Sequence, residues 1–169
     1  MTNTKAYYID RGLHWLSAII IIDMLWGMGT SIHITDYRIK GDLIHKQDAM
    51  TTHLIEAIAL FVLLGGRILW NRIYPNRDTK MVFQSVRHKV ITYGLHYSLY
   101  LTFALLAISG FLSLINGELP LDFLGVLSVP FTPVDRDVFG FAFESHEWLT
   151  KWLYAVLGIH IVGGLYLHR

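Results

Sequence analysis

A chain of 169 residues that is 53% hydrophobic and 16% charged carries well under the quarter of charged residues usual in a globular domain. That balance excludes a disordered, coiled-coil or highly solvated protein and points to the membrane class. With no cysteine and nine histidines, disulfides, thiolate zinc sites, iron–sulfur clusters and C-x-x-C-H haem are excluded and imidazole is left as the metal ligand; a net charge of +1 gives nucleic acid no footing.

Windows of about 19 residues divide the chain into four apolar runs. The first, residues 13–32, contains one charge, Asp23. It lacks a short apolar core followed by an A-x-A-like site, so it is expected to stay in the protein as the first span. After a join from Tyr37 to Ala49 comes the second run, residues 51–70, with Glu56 and, near its end, Arg67. A basic join from Asn71 to Val90 leads to the third, residues 91–114, where His96 is the only titratable base or acid. The last join, Asn116 to Ser145, is about 30 residues long and holds Pro120, Pro130 and Pro133; loops of that length often carry function or cover a site. The fourth run, residues 146–168, has one internal charge, Lys151. Each run can cross a hydrocarbon core of about 30 Å at 1.5 Å per residue. Soluble helices of this length would need charged outer faces, which these lack. The expected fold is therefore all-α, an integral membrane antiparallel four-helix bundle forming a single domain over residues 1–169.

Lysine and arginine set the orientation. Lys5, Arg11, Arg67, Arg72, Arg77, Lys80, Arg87, Lys89 and Arg169 fall on one side of a four-span protein, nine against the five of Arg38, Lys40, Lys46, Arg136 and Lys151. The positive-inside rule then places both termini in the cytoplasm, as expected of a multi-pass protein of a bacterial inner membrane.

Depth ranks the histidines. His146 opens the fourth run and His160 follows 14 residues later, about 21 Å along a helix and nearly four whole turns, so the two share a stripe at opposite depths. His53 opens the second run at the outer level with His146, and His14 opens the first at the inner level with His160. A single histidine at a helix end does no more than wet its edge, but two depth-matched pairs from facing helices are what a b-type haem needs, one axial nitrogen from each side of the ring. His96 lies near the inner level and leaves three roles open: rival ligand to His14, support for a haem propionate, or quinone contact. His33, His45, His88 and His168 lie at or beyond the span ends and need no special role.

From Arg11 to His168 the chain resembles the bacterial cytochrome b561 family, small four-span dihaem cytochromes related to the cytochrome b subunits of nickel–iron hydrogenase and formate dehydrogenase. The resemblance is carried by R-G-L-H-W-L at Arg11 to Leu16, H-x₁₃-R at His53 to Arg67 with Tyr74-Pro75 after it, H-x₁₃-G at His96 to Gly110, and H-E-x₁₂-H at His146 to His160. It implies two b haems, one held by His53 and His146 near the outer face and one by His14 and His160 near the inner face, with Arg67 at the depth of the inner haem to pair with a propionate. Asp23, Glu56 and Lys151 are charges inside spans that the family does not lead one to expect; by depth they read as a neutralising cluster or as a proton or quinone contact off the haem axis.

The function expected is transmembrane electron transfer through two haems between the quinone pool and a periplasmic donor or acceptor, with the lipid bilayer and ubiquinone as surroundings and a redox or isoprenoid-binding protein as partner. The family precedent adds a rival, a superoxide:ubiquinone oxidoreductase working at the outer face. Against it, the outer side carries more acid than base, Asp36, Asp42, Asp48, Glu118, Asp122, Asp135, Asp137, Glu144 and Glu147 outnumbering its cations. A haem-free transporter or proton relay is the third reading, and it requires a colourless protein.

Overall fold

A computed structural model describes residues 3–37, 43–75, 85–117, 121–123, 127–129 and 135–167. All four expected helices are present: α1 (Asn3–Tyr37), α2 (Leu43–Ile73), α3 (Val86–Ile115) and α4 (Arg136–Leu167). Arg38, Lys40, Arg77, Lys80 and Arg169, which carry part of the orientation argument, lie outside the described residues, as does His168. Two three-residue strands, β1 (Leu121–Phe123) and β2 (Leu127–Val129), pair antiparallel inside the long join with Leu121 opposite Val129. Among the described residues the regular structure is otherwise helical, as the four apolar runs predict.

The helices begin earlier than the apolar runs. Ser85 caps α3, its hydroxyl accepting the His88 amide at 3.1 Å. The Asp135 carboxylate accepts the amides of Asp137 and Val138 at the start of α4, satisfying donors that the first turn leaves open and setting negative charge at the positive end of the helix. Because of these starts, His146 lies ten residues inside α4, His53 ten residues inside α2 and His14 eleven inside α1. None of the three sits at a helix end, where an imidazole would simply meet water.

The chain forms two compact units, one built from α1 and α2 with the small β-hairpin, the other from α3 and α4. In the first, Ala6 meets Trp70, Asp10 meets Arg67, and Asp23 meets Glu56, so α1 and α2 run antiparallel. Lys5, Arg11, Arg67 and Arg72 thereby gather at one end of the hairpin. The second is antiparallel too, with His96 beside His160, Ser109 beside His146 and Gly117 beside Phe139.

Each unit has a thin core. Ala6, Ile21, Leu60 and Leu64 are buried in the first, and Phe103, Ala142, Leu153 and Val156 in the second. Large apolar side chains such as Trp26, Val62, Val86 and Phe141 are exposed instead, the reverse of a water-soluble protein and what a lipid solvent allows. Ile44–Ile73, Val86–Ile115 and Arg136–Leu165 are each long and apolar enough to cross a membrane, and α1 carries the 13–32 run within its 35 residues. Buried hydroxyls turn back on their own helices, Ser17 to the Leu13 carbonyl and Thr102 to the Ser98 carbonyl, as apolar surroundings demand.

Trp70 supplies a clip between α1 and α2. Its indole N–H donates to the Ala6 carbonyl at 3.1 Å, with Ala6 fully buried. Trp70→Phe keeps an aromatic ring but removes the donor, leaving the Ala6 carbonyl with its partner within α1, and is expected to cost about 1 kcal/mol. Unfolding of the purified protein in a detergent titration measures this; an unchanged midpoint would show that the bond contributes nothing.

Candidate functional site

In the first unit the site is built on Arg67. Asp10 and His14, four residues apart on α1, face the same side of that helix, and the antiparallel course of α2 brings Arg67 to both. Its Nε donates to Asp10 Oδ1 at 3.1 Å and its Nη1 donates to His14 Nδ1 at 3.2 Å. Asp10 is 4% exposed, so this ion pair is largely held out of water, where removing either partner would strand a charge. A guanidinium has five N–H donors and accepts nothing. Two consequences follow: donors remain for an anion such as a propionate, and a neutral His14 ring arranged in this way keeps its proton on Nε2. Ligation of a metal through Nε2 requires Nδ1 of His14 to exchange Arg67 for an acceptor.

In the second unit His146 is oriented from α3. Its Nδ1 lies 3.1 Å from the Leu106 carbonyl, which can only accept, so a neutral ring in this arrangement carries its proton on Nδ1. The Ser109 hydroxyl donates to that same carbonyl at 3.1 Å and lies 3.0 Å from Nδ1. Gly110 makes room for the ring: a Cβ there would stand 3.2 Å from His146 Cε1 and 3.4 Å from Nδ1. Ser113, one turn beyond Ser109, has a buried hydroxyl oxygen with no hydrogen-bond partner among the described residues.

His96 and His160 also meet in this unit. The His96 Nδ1 donates to the Thr92 carbonyl at 2.7 Å, fixing the ring, and the two imidazoles touch edge to face with centroids 5.1 Å apart and planes at 85°. His96 is thus an edge-to-face neighbour of His160. His53 lies half-buried on α2. The expected pairs, His53 with His146 and His14 with His160, each take one member from either unit.

The charges inside the spans find local partners. Asp23 on α1 lies close to Glu56 on α2, while Lys151 pairs with Glu147 one turn earlier on α4 at 2.7 Å and lies 4.9 Å from the Trp148 ring centroid. Glu147, read from sequence as part of the outer acidic surface, is thus the carboxylate that Lys151 uses. Two residues at these contacts are not among the sequence candidates: Asp10, whose four-residue offset from His14 is the one signal the sequence offers for it, and Ser109, which lies beside His146.

The model of the prokaryotic cytochrome b561 family matches residues 9–169. The chain belongs to that family. It is also 30% identical over 167 residues to cytochrome b561 homolog 2 of Escherichia coli strain K12, covering 94% of this chain and 82% of that protein. No solved structure matches it. Membership brings transmembrane electron transfer, b-type haem and a bilayer setting to the chain. The residues suit that group. His146 has its Nδ1 proton committed to a carbonyl, which orients a metal-binding imidazole and raises its basicity, and Gly110 leaves a recess against the ring.

Ser109 tests how much of this depends on the hydroxyl. Ser109→Ala removes one neighbour of Nδ1 but leaves the Leu106 carbonyl as acceptor. The expected result is unchanged haem content with stability lower by about 1 kcal/mol, read by pyridine haemochrome and detergent unfolding; loss of haem would show that the hydroxyl, not the carbonyl, sets the ring.

Proposed function

We propose that the chain holds two b haems and passes single electrons across the bacterial inner membrane between ubiquinone and a periplasmic redox or isoprenoid-binding partner. His53 and His146 bind the haem near the outer face and His14 and His160 the one near the inner face. The observation that carries this reading is the His146 ring, whose Nδ1 faces the Leu106 carbonyl at 3.1 Å, the orientation that a metal-binding imidazole takes toward its supporting acceptor. A haem iron held by two of these imidazoles would supply one-electron chemistry.

The chain's own residues then have distinct tasks. Leu106 and Ser109 fix the plane and proton of His146. Gly110 keeps the space beside that ring open. Arg67, anchored by Asp10, offers cationic N–H donors beside His14, where a haem carboxylate would be drawn. The concentration of Lys5, Arg11, Arg67 and Arg72 at one end of the α1–α2 hairpin supports cytoplasmic termini, with the inner haem at that end. Exposed apolar side chains along all four helices supply the lipid contact.

Mixing the oxidised, haem-loaded protein with ubiquinol in a stopped-flow instrument tests the reading. Reduction of both haems, in two kinetic phases and saturating with quinol, is expected. A protein that dithionite reduces but ubiquinol does not would overturn the quinone assignment. Reduction by superoxide faster than spontaneous dismutation would move the activity to superoxide:ubiquinone oxidoreduction at the outer haem.

A further inference from the structure

The two sides of α1 differ in chemistry. Ala6, Asp10, Ser17 and Ile21 are buried and mark the side that packs on α2. At about 100° per residue, Lys5, Tyr8, Arg11, Trp15, Ile19 and Ile22 fall on the opposite side of the helix, and all are exposed. This stripe is graded: it opens with cations, continues through aromatic rings and ends in aliphatic side chains. Neither Lys5 nor Arg11 has a carboxylate partner among the described residues. The Arg11 guanidinium lies over the Tyr7 ring instead, 5.3 Å from its centroid, so it leans back along the helix and carries its charge toward the level of Lys5. A ring gives its N–H donors no oxygen acceptor. Arg11 precedes the apolar run that begins at Leu13 by two residues and Lys5 by eight, about 3 and 12 Å of helix. Arg11 thus falls within the polar layer of a leaflet, about 5–7 Å deep, and Lys5 just outside it.

Aliphatic side chains facing lipid need only hydrocarbon, which any phospholipid supplies. Two cations without an acid, on the same face and one headgroup's depth away, call for an anion as well. A phospholipid of net negative charge provides both in one molecule. We propose that this face of α1 seats an anionic phospholipid of the cytoplasmic leaflet, its phosphate held by Arg11 and Lys5, its glycerol region against Tyr8 and Trp15, and an acyl chain along Ile19 and Ile22. The planar N–H fork of Arg11 matches a pair of phosphate oxygens, and Lys5 adds a point charge. Trp15 and Tyr8 are the residue types that settle at the headgroup boundary, with an apolar ring body and a polar tip. The choice of leaflet rests on the reading that the termini are cytoplasmic; the class of lipid does not.

The test is native mass spectrometry of the haem-loaded protein, titrated separately with phosphatidylglycerol and with phosphatidylethanolamine. Phosphatidylglycerol is expected to bind the more tightly, and the double variant Lys5→Gln/Arg11→Gln to weaken it about tenfold or more. Arg87→Gln/Lys89→Gln removes the same charge from exposed positions on α3 and is expected to leave binding unchanged. Equal weakening by the two double variants, or no preference for phosphatidylglycerol, would reduce the effect to diffuse attraction and overturn the proposal. Phosphatidylglycerol with brominated acyl chains gives a second readout that does not depend on the charge variants. It is expected to quench fluorescence that Trp15→Phe abolishes; equal quenching in the natural protein and the variant would contradict a seat beside Trp15. A protein that is dimeric in lipid-free detergent and made monomeric by Trp15→Ala would assign the face to a second copy of the chain and overturn the proposal too. The leaflet is read separately. The chain has no cysteine, so Thr4→Cys provides a single thiol, expected to react with an impermeant maleimide in inverted vesicles and not in spheroplasts. Reaction in spheroplasts would overturn the cytoplasmic placement while leaving the lipid preference measured in detergent to stand or fall by itself.

Discussion

Replacing His146 by alanine is expected to halve the haem content, from two per chain to one, with the remaining haem retaining its spectrum and potential. The described α3 residues in contact with His146 cannot take over. Its Nδ1 is held by the Leu106 carbonyl, and its immediate neighbours from α3 are a hydroxyl and a glycine, neither of which is a haem-iron ligand of the usual kind. Losing one of two axial bonds leaves a five-coordinate haem, at best loosely held and able to bind carbon monoxide, so a residual haem that does so would have the same meaning. The His53→Ala protein should behave in the same way, and His14→Ala and His160→Ala should remove the other haem. If His146→Ala retains two six-coordinate haems, the assignment of that residue is wrong.

Gly110→Val is expected to have an effect nearly as large by a different route. Even the Cβ of alanine would come within 3.2 Å of His146 Cε1, which the ring can relieve by moving a few tenths of an ångström. Valine adds two carbons on that Cβ, with χ1 restricted within a helix, and the ring cannot keep its bond to Leu106 while making room for them. Overpacking of this kind costs about 1–3 kcal/mol in the fold. The sharper consequence is the displaced ligand: loss of one haem per chain for valine, against two haems and a shifted potential for alanine. Two haems with unchanged potentials in Gly110→Val would show that the recess beside His146 has no role in binding.

The four helices were legible because hydropathy summed over about 19 residues is a strong signal, and lipid exposure leaves the apolar residues on every face. Their beginnings were less so. The Asp135 and Ser85 caps lie in polar segments that a hydropathy window discards, and Leu43–Met50 and Arg136–Ser145 continue as helix beyond the apolar runs. The histidines placed at the mouths of spans are consequently well inside helices. At the site, candidate ligands could be ranked by depth, because rise per residue converts sequence separation to distance. Their supports could not. That Leu106 and Ser109 serve His146, or that His96 lies against His160, depends on the register of α3 against α4, which is fixed by side-chain packing and leaves no periodic trace in either helix. Arg67 was expected to pair with a haem carboxylate; its protein partner, Asp10, emerges only from the register of α1 against α2. The backbone carbonyl that sets the His146 proton has no sequence signature at all, since every residue carries one.

The most direct test of a two-haem electron path is a count of haem in the purified protein together with a redox titration of its reduced-minus-oxidised spectrum. Two non-covalent b haems per chain, extractable by acid acetone and titrating as two one-electron components, are the predicted result. One haem per chain, or a colourless protein after expression with ample haem, would contradict it.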